Sequence, residues 1–429
     1  MDSVKDMGFL IISEGGDGLG LAMRLQAEGH SVAMEIKDPV AEQRGEGLVE
    51  KGRNPDYLPV YIADCTGSGA ILDSYKAHGG RAFGGSQIAD RLESDRKYAS
   101  QVFKECGIKE PFSKEFSDWE SALQFIMDWT EDTKLVFKPE GKFSGVVPSY
   151  VPHDNRELVE MLEHYKGIIG DEPSFTLQEF IEGTCISSEV WCSNGQILLP
   201  TNHTLERKQF LNGDLGPSGG CTGNVVWRCD DLECRLCESL AKLSGMLEES
   251  MWNGPLDINS VVTKSGEIYA LEFTPRFGYD AFPTFLLGLF DSDFGEFVNS
   301  CVRDGFRSEL PLKNGFAAGV RISVPPWPSE DFHSKPGLPI RGLCKSDFDR
   351  FYAYEVGLQE DSPVTSGGWG IIGVCVGHGE TIEVAFEEAY KLAEKIRVPD
   401  KQYRTDFAEV FSKEYRQIER ALSVQGVNA

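Results

Sequence analysis

The sequence lacks the features of a membrane or secreted protein. No apolar run approaches the roughly 20 residues that a membrane-spanning helix requires. The first residues, Met1 to Asp6, include acidic side chains where a signal peptide carries only basic ones. Basic residues are outnumbered, since 42 Lys and Arg against 68 Asp and Glu give a formal net charge of −26. Such a charge repels nucleic acid and anionic lipid, so we predict a cytoplasmic protein that binds neither.

Several catalytic motifs are also missing. No Gly-x-x-x-x-Gly-Lys-[Ser/Thr] sequence occurs, which excludes the usual P-loop route to ATP. A Gly-x-Ser-x-Gly pattern surrounds Ser218, but it lacks the preceding apolar strand and the following helix of a hydrolase nucleophile.

Cysteine spacing predicts neither a disulfide framework nor a metal site. The 11 cysteines are odd in number and irregularly spaced, which is typical of reduced thiols. Cys229, Cys234 and Cys237 resemble zinc ligands, but no second Cys-x-x-Cys pair or His spacing completes a set of four. The seven histidines are dispersed, so ordinary thiols are the favoured interpretation.

The pattern of apolar residues predicts an α/β protein of several domains, since 429 residues exceed one hydrophobic core. Alternating strands and helices in residues 1–93 predict a Rossmann-like parallel sheet. Its first loop contains Gly15 and Gly16, which are compatible with either a phosphate site or a plain tight turn.

Two further domains are predicted, at 94–311 and 312–429, and a lid subdomain at about 130–183 within the first of them. In 94–311 the sequence predicts strands at 186–192 and 197–201, a glycine-rich loop at 212–223 and a helix at 231–249. It also predicts a hairpin that pairs 256–262 with 268–273.

The hairpin carries the most informative polar residues. Asp257 lies on one strand and Glu272 on the next, and Arg276 follows directly. Carboxylates on paired strands can share a face and bind Mg²⁺, while the arginine can bind phosphate. Cross-strand acids are also often merely solvated, and Lys138 is compatible with either a snorkelling lysine or a phosphate ligand.

The order of motifs resembles the ATP-grasp ligases, and among them it is most similar to the phosphoribosylamine–glycine ligase family over nearly the whole chain. The residues that carry this resemblance are Gly15-Gly16, Arg96-Lys97, Phe137 to Gly141, Gln178 to Gly183, Gly213 to Gly223, Leu271 to Gly278, Gly367 to Val374, Thr381 to Tyr390, and Tyr403 to Asp406.

The resemblance implies an ATP-grasp fold, a mixture of α/β and α+β parts, and a ligase that joins small-molecule amine and carboxylate substrates through an acylphosphate. It implies ATP with Mg²⁺ or Mn²⁺ as cofactors, and a monomer or small homo-oligomer. Lys138 and Arg276 would be catalytic, and the loop from Gly141 to Gly145 would close over the site. The implied ligands of ATP are Arg96, Lys138, Gln178, Glu179, Phe180, Ile181 and Cys185; those of the metal are Asp257, Glu272 and Thr274; those of the substrates are Gly15, Gly16, Asp214, Gly216, Pro217, Gly219, Gly220 and Arg276.

Some family residues are replaced. Cys185 stands where the superfamily usually has a ribose-binding Glu, and Thr274 stands where it usually has a metal-binding Asn. The Gly-Pro-Glu that helps to seat phosphoribosylamine is absent, and Cys65 to Gly69 occupy its region. Three hypotheses follow: the purine-pathway ligase, a divergent ligase for another amine and carboxylate, and a catalytically silent nucleotide-binding protein.

Overall fold

The computed structural model describes residues 8–52, 59–130, 132–143, 146–303, 309–329 and 331–424, which are called the described residues below. The chain begins with a five-stranded parallel sheet of order β3-β2-β1-β4-β5. All six residues of its central strand β1 are buried, as expected for a parallel sheet covered on both faces. The elements are β1 Gly8–Ser13, α1 Leu19–Ala27, β2 Ser31–Ile36, β3 Glu50–Lys51, β4 Val60–Ala63, α2 Gly69–Ala77, β5 Arg81–Phe83 and α3 Gln87–Ser94. This α/β architecture confirms the predicted fold class.

A small antiparallel sheet of order β6-β8-β7 follows. Its core is aromatic, with Phe137 and Phe175 fully buried and their ring centroids 5.0 Å apart. The elements are α4 Arg96–Glu105, β6 Ser113–Phe116, α5 Trp119–Met127, β7 Leu135–Pro139, α6 Asn155–Ile169 and β8 Phe175–Glu179. Of the loop expected to close over the site, Gly141–Phe143 form a 3-10 turn, and Ser144 and Gly145 lie outside the described residues.

The remaining strands build an eight-stranded sheet of order β13-β12-β9-β10-β11-β14-β18-β15. Its elements and their neighbours are β9 Thr184–Ser193, β10 Gln196–Leu211, β11 Leu215–Cys229, α7 Glu238–Ala241, α8 Ser244–Glu249, β12 Gly254–Val262, β13 Ile268–Thr274, α9 Ala281–Thr284, α10 Phe294–Val302, β14 Phe316–Ser323, β15 Phe351–Ala353, β16 Val356–Gln359, β17 Ser362–Thr365, β18 Ile371–Gly379, α11 Ile382–Lys395 and α12 Phe407–Val424. The sheet continues across residue 312, because β14 pairs with β11 and with β18. The domain boundaries at 93 and 311 stay predictions.

The predicted glycine-rich loop at 212–223 is wrong. Only Asn212–Asp214 form a turn, and β11 begins at Leu215 and pairs with β10. The glycines of this strand make room for aromatic side chains: a Cβ at Gly223 would overlap the Phe407 ring, and one at Gly219 would lie 3.3 Å from Trp327.

The predicted continuous helix at 231–249 is also wrong. Residues 230–237 form turns, and two short helices, α7 and α8, follow them. The Asp231 carboxylate accepts a hydrogen bond from the Glu233 amide at 2.8 Å, an Asx turn that competes with helix formation. No helix among the described residues combines the length and apolarity that crossing a membrane demands.

Candidate active site

One face of the eight-stranded sheet is polar across four neighbouring strands. In β9 and β10 every second side chain points to this face, beginning with Cys185 and Asn202 respectively, because strand residues alternate between faces. The register places Asp257 of β12 beside Glu189 of β9, and Asn259 of β12 beside Glu272 of β13. The residues that share this face are Cys185, Ser187, Glu189, Asn202, Thr204, Glu206, Lys208, Asp257, Asn259, Glu272 and Thr274.

Four of these side chains form an acidic cavity of about 170 Å³, namely Glu189, Glu206, Asp257 and Glu272. Burial raises the pKa of Glu189 to about 7, and hydrogen bonds from Asn202 and Trp191 only partly oppose this. Burial also raises the pKa of Glu206, and burial and then Glu189 raise the pKa of Asp257 well above its ordinary value. The cavity therefore concentrates carboxylates that a cation would stabilise in their charged form.

The donors in this cavity fit a hard divalent cation. Oxygen atoms from carboxylates and amides are the ligands that Mg²⁺ prefers. The buried Asn202 Oδ1 has no hydrogen-bond partner among the described residues, so it is an acceptor without a donor. Ser187 Oγ lies 3.0 Å from Asp257 Oδ1 and 2.7 Å from Asn259 Oδ1, and Asn259 Nδ2 donates to Thr274 Oγ1 at 3.0 Å. These bonds hold the ligand candidates on β12 and β13 in place.

A second cavity, of about 550 Å³, lies between the three-stranded sheet and β13. Arg96, Lys138 and Gln178 line it together with Glu272, Thr274 and Arg276, and the last three also line the acidic cavity. Burial lowers the pKa of Lys138, although Glu272 opposes this change. Arg96 Nη1 donates to the Pro139 carbonyl at 2.7 Å, which fixes the guanidinium beside β7. Arg96, Lys138 and Arg276 thus line the same cavity as the Glu272 carboxylate.

Arg276 stands at the junction of the two cavities. Its Nε donates to Glu93 Oε1 at 3.0 Å, and its guanidinium carbon lies 4.2 Å from the centroid of the Tyr279 ring. Burial opposes the charge of Arg276, but Glu93 and Tyr279 outweigh it and raise the pKa of this group. A guanidinium held in this way is charged and oriented before any ligand binds.

The segment from Gln178 to Cys185 joins the two sheets. The amides of Glu179 and Phe180 donate to the carbonyls of Phe112 and Lys134 at 2.9 and 2.8 Å, so their hydrogen bonds stay within the protein. Phe180 and Ile181 are half-buried, and the Cys185 thiol is exposed. The Lys134 ammonium lies 4.4 Å from the centroid of the Phe180 ring.

The residues predicted to bind substrate fall into two groups. Gly15, Gly219 and Gly220 line a third cavity of about 370 Å³ between the N-terminal sheet and the eight-stranded sheet. Gly220 also borders the acidic cavity. Gly16, beside it, packs against Arg44 and donates its amide to Ser13 Oγ at 2.7 Å.

Asp214, Gly216 and Pro217 lie apart from that cavity, at the exposed tip of the β10–β11 hairpin. Asp214 Oδ1 accepts a hydrogen bond from Arg404 Nη1 at 2.9 Å and lies 3.4 Å from Arg207 Nε. Asp214 thus anchors the hairpin tip to the segment that precedes α12.

The third cavity has aromatic walls and two paired cations. Arg44 Nη2 donates to Glu355 Oε1 at 2.7 Å, and Arg321 pairs with Asp280. The Trp327 Nε1 donor is buried without a hydrogen-bond partner among the described residues. The aromatic residues that line this cavity are Tyr279, Trp327, Tyr354 and Trp369.

Sequence reasoning missed Glu189, Glu206 and Lys208 of the polar face. The sequence pattern that could have identified them is the polar residue at every second position along β9 and β10. The sequence predicted a strand at 197–201 only. The observed strand β10 extends to Leu211, and its alternating polar side chains lie beside those of β9.

Comparisons with known proteins bear on the family and the fold of the chain. Residues 94–281 match the family model of the phosphoribosylglycinamide synthetase ATP-grasp (A) domain. A solved structure of phosphoribosylamine–glycine ligase from Thermotoga maritima superposes with a TM-score of 0.70 at 20% identity, covering 93% of this chain and 100% of that one. Residues 94–281 are therefore similar to an ATP-grasp domain. The chain is 24% identical to the phosphoribosylamine–glycine ligase of Clostridium acetobutylicum over 350 residues, which are 78% of this chain and 80% of the relative.

A second solved structure bears on the nucleotide. The biotin carboxylase domain of the Hydrogenobacter thermophilus 2-oxoglutarate carboxylase, in complex with MgADP, superposes with a TM-score of 0.63 at 13% identity, covering 94% of this chain and 95% of that one. The cavity between the two antiparallel sheets and the acidic cavity beside it contain residues that the sequence predicted to bind nucleotide and metal.

Proposed function

We propose that this protein is an ATP-dependent carboxylate–amine ligase that joins glycine to phosphoribosylamine and yields glycinamide ribonucleotide, ADP and phosphate. The observation that carries the proposal is the wall shared by two cavities. Glu272, Thr274 and Arg276 border both the acidic cavity and the cavity that contains Arg96 and Lys138. A phosphoryl group at this junction would lie between carboxylates suited to a metal ion and fixed cations.

The chemistry requires activation, because a carboxylate does not react with an amine directly. A carboxylate oxygen of glycine attacks the γ-phosphorus of ATP, the bond to the ADP oxygen breaks, and an acylphosphate forms. The amine nitrogen then attacks the acyl carbon, phosphate leaves, and the amine loses a proton. Lys138 and Arg276 would stabilise the negative charge that moves onto the transferred phosphoryl group.

Asp257 and Glu272 would hold Mg²⁺ or Mn²⁺, with Asn259 or Thr274 as a neutral neighbour. When bound, the ion neutralises phosphate charge during transfer. The residues of the chain position the reactants: Arg96 and Lys138 hold the phosphates, while the segment from Gln178 to Ile181 meets the adenine. Holding amine and acylphosphate together contributes an effective molarity of roughly 10⁵ M or more.

The cavity lined by Gly15, Gly219 and Gly220 is the proposed place of the amine substrate. Gly220 and Tyr279 border both this cavity and the acidic one, so an amine there would reach an acylphosphate beside the metal. Asp214, Gly216 and Pro217 remain predicted substrate contacts, although they lie at the exposed hairpin tip outside this cavity.

A divergent ligase for a different amine is the second candidate. Its support is the charge of the third cavity, where Arg44 and Arg321 already have carboxylate partners and do not offer unpaired charge to a sugar phosphate. The aromatic walls and the Trp327 Nε1 donor suit a flat or apolar group with one hydrogen-bond acceptor.

The test is incubation with Mg-ATP, glycine and freshly generated phosphoribosylamine, with ADP and the amide product followed by mass spectrometry. Equal amounts of ADP and product support the first candidate, and the variant Glu272→Gln, as control, should form neither. Binding of Mg-ADP without product rejects the purine-pathway substrate and favours the second candidate. If calorimetry detects no binding of Mg-ADP, both ligase candidates are rejected and a catalytically silent protein remains. A cytoplasmic location and a monomer or small homo-oligomer remain part of the proposal.

A further inference from the structure

Three cysteines and one histidine meet on the sheet face opposite the acidic cavity. His203 belongs to β10, Cys229 ends β11, Cys234 lies in the following turn, and Cys237 precedes α7. The four ligand atoms all lie within 4.8 Å of one another. The two sulfur atoms of Cys229 and Cys234 are 3.2 Å apart, and His203 Nε2 lies 3.9 Å from the sulfur atoms of Cys234 and of Cys237.

Strand register and turn geometry bring these side chains together. Antiparallel pairing sets His203 opposite Trp227 and Thr201 opposite Cys229, so the histidine reaches the end of β11. The Cys237 amide donates to the Cys234 carbonyl at 2.9 Å, which turns both thiols toward β10.

The histidine is already oriented as a metal ligand. Its Nδ1 lies 2.9 Å from Ser188 Oγ, and this contact leaves Nε2 to face the three thiols. Zinc-binding histidines almost always engage their second ring nitrogen in this way, which fixes the tautomer. His203 is only 2% exposed and Cys237 is fully buried, so the cluster is largely shielded from water.

The spacing of the ligand atoms fits tetrahedral zinc. A Zn–S distance of about 2.3 Å places neighbouring sulfur atoms about 3.8 Å apart, within the range observed here. An iron–sulfur cluster needs a wider cradle, because its ligands bind separate iron atoms. Three thiolates and an imidazole are soft donors that select zinc over magnesium.

We propose that His203, Cys229, Cys234 and Cys237 bind one structural Zn²⁺ ion. Four protein ligands leave no open position for a substrate, so the ion has no catalytic role. Binding forms three Zn–S bonds and one Zn–N bond, and the three thiol protons pass to solvent. The ion fastens residues 229–237 to the back of β10, whose other face carries Asn202, Thr204 and Glu206. The site is distinct from the magnesium site of the proposed function.

The test is metal content, measured by mass spectrometry on the full-length protein purified under reducing conditions with zinc in the growth medium. We expect one zinc per chain in the wild type and a loss of most of it in Cys234→Ser. The matched control is Cys344→Ser, which removes an exposed cysteine far from the cluster and should retain one zinc. Thermal unfolding should shift to lower temperature when a chelator removes the ion.

A second measurement avoids the case in which a variant does not fold. Apo wild-type protein titrated with Co²⁺ alone should show the intense thiolate-to-cobalt absorption and visible bands of a tetrahedral site, saturating at one equivalent and displaced by Zn²⁺. Absence of these bands in reduced protein, or equal zinc in the wild type and Cys234→Ser, overturns the proposal. A disulfide between Cys229 and Cys234 in freshly purified protein also overturns it. All of these readouts are independent of ligase activity.

Discussion

Arg321 and Asp280 form a buried bidentate ion pair. It links β14, which contains Arg321, to the start of α9, which Asp280 directly precedes. Arg321 Nε and Nη2 donate to the two carboxylate oxygens of Asp280 at 2.6 and 2.8 Å, and Nη1 donates to the Gly219 carbonyl at 2.8 Å. The pair therefore supports the wall of the third cavity and connects regions on both sides of residue 312.

Breaking this pair should destabilise the whole protein. In Asp280→Asn the buried Arg321 charge loses its partner, and we expect a loss of about 3–5 kcal/mol in the free energy of unfolding. Urea denaturation provides the measurement. Asp291→Asn removes a carboxylate from an exposed pair with Lys313 and should cost less than about 1 kcal/mol. Equal effects of the two substitutions would contradict the structural role of the buried pair.

Lys138→Met should strongly slow ATP turnover without loss of fold. The ammonium lies in the wall of the inter-sheet cavity, and its removal takes a positive charge from the transferred phosphoryl group. We expect kcat to fall by roughly 100-fold or more, as for the loss of one preorganised charge contact. ADP release measures kcat, and circular dichroism checks the fold. Lys391→Met, at an exposed site on α11, is the control and should turn over normally. Retained activity in Lys138→Met would remove this residue from the mechanism.

Cys185→Glu should strengthen nucleotide binding. Cys185 shares a strand face with Ser187 and Glu189, and the family resemblance of the sequence implies that this position binds the ribose. A carboxylate there can accept hydrogen bonds from the ribose hydroxyls, and we expect the Kd for Mg-ADP to fall by up to about tenfold, the worth of one such bond. Calorimetric titration measures it. Cys344→Glu, an exposed cysteine elsewhere, should leave the Kd unchanged, and weaker binding in Cys185→Glu would argue against the assigned ribose position.

Asp64→Asn should change how stability depends on pH. Burial raises the pKa of Asp64 to about 7, although Ser13 and the Gly18 amide donate hydrogen bonds to its carboxylate. Between about pH 4 and pH 7 the unfolded chain releases this proton while the folded protein keeps it, so the wild type loses stability as pH rises. Asparagine cannot ionise and can still accept the Gly18 bond.

The free energy of unfolding of Asp64→Asn minus that of the wild type should therefore increase across this pH window, by a few kcal/mol. Urea denaturation at several pH values gives the difference. Asp349→Asn controls for the loss of an exposed carboxyl group. A constant difference for Asp64→Asn would show that Asp64 is ionised throughout the window.

Local sequence patterns predicted the parallel sheet and the β12–β13 hairpin, because apolar period and turn residues determine them directly. The sequence predicted only the first part of β10. Charged residues such as Glu206 and Lys208 are typical of loops, and only pairing with the neighbouring strands places them in a sheet. Glycines in β11 suggested a loop, whereas Gly219 and Gly223 lie in a strand, against the rings of Trp327 and Phe407 respectively. His203 and Cys229 are far apart in sequence and meet only through strand register, which no local spacing reveals.

The continuity of the eight-stranded sheet has a consequence for aggregation. β14 covers one side of the 15-residue strand β11 by pairing at Gly223 through Trp227. A chain that ended near residue 311 would expose this side as a long edge with unpaired amides and carbonyls, ready to add a strand from another molecule. Shortened forms of this protein should therefore form insoluble assemblies in place of a smaller working enzyme.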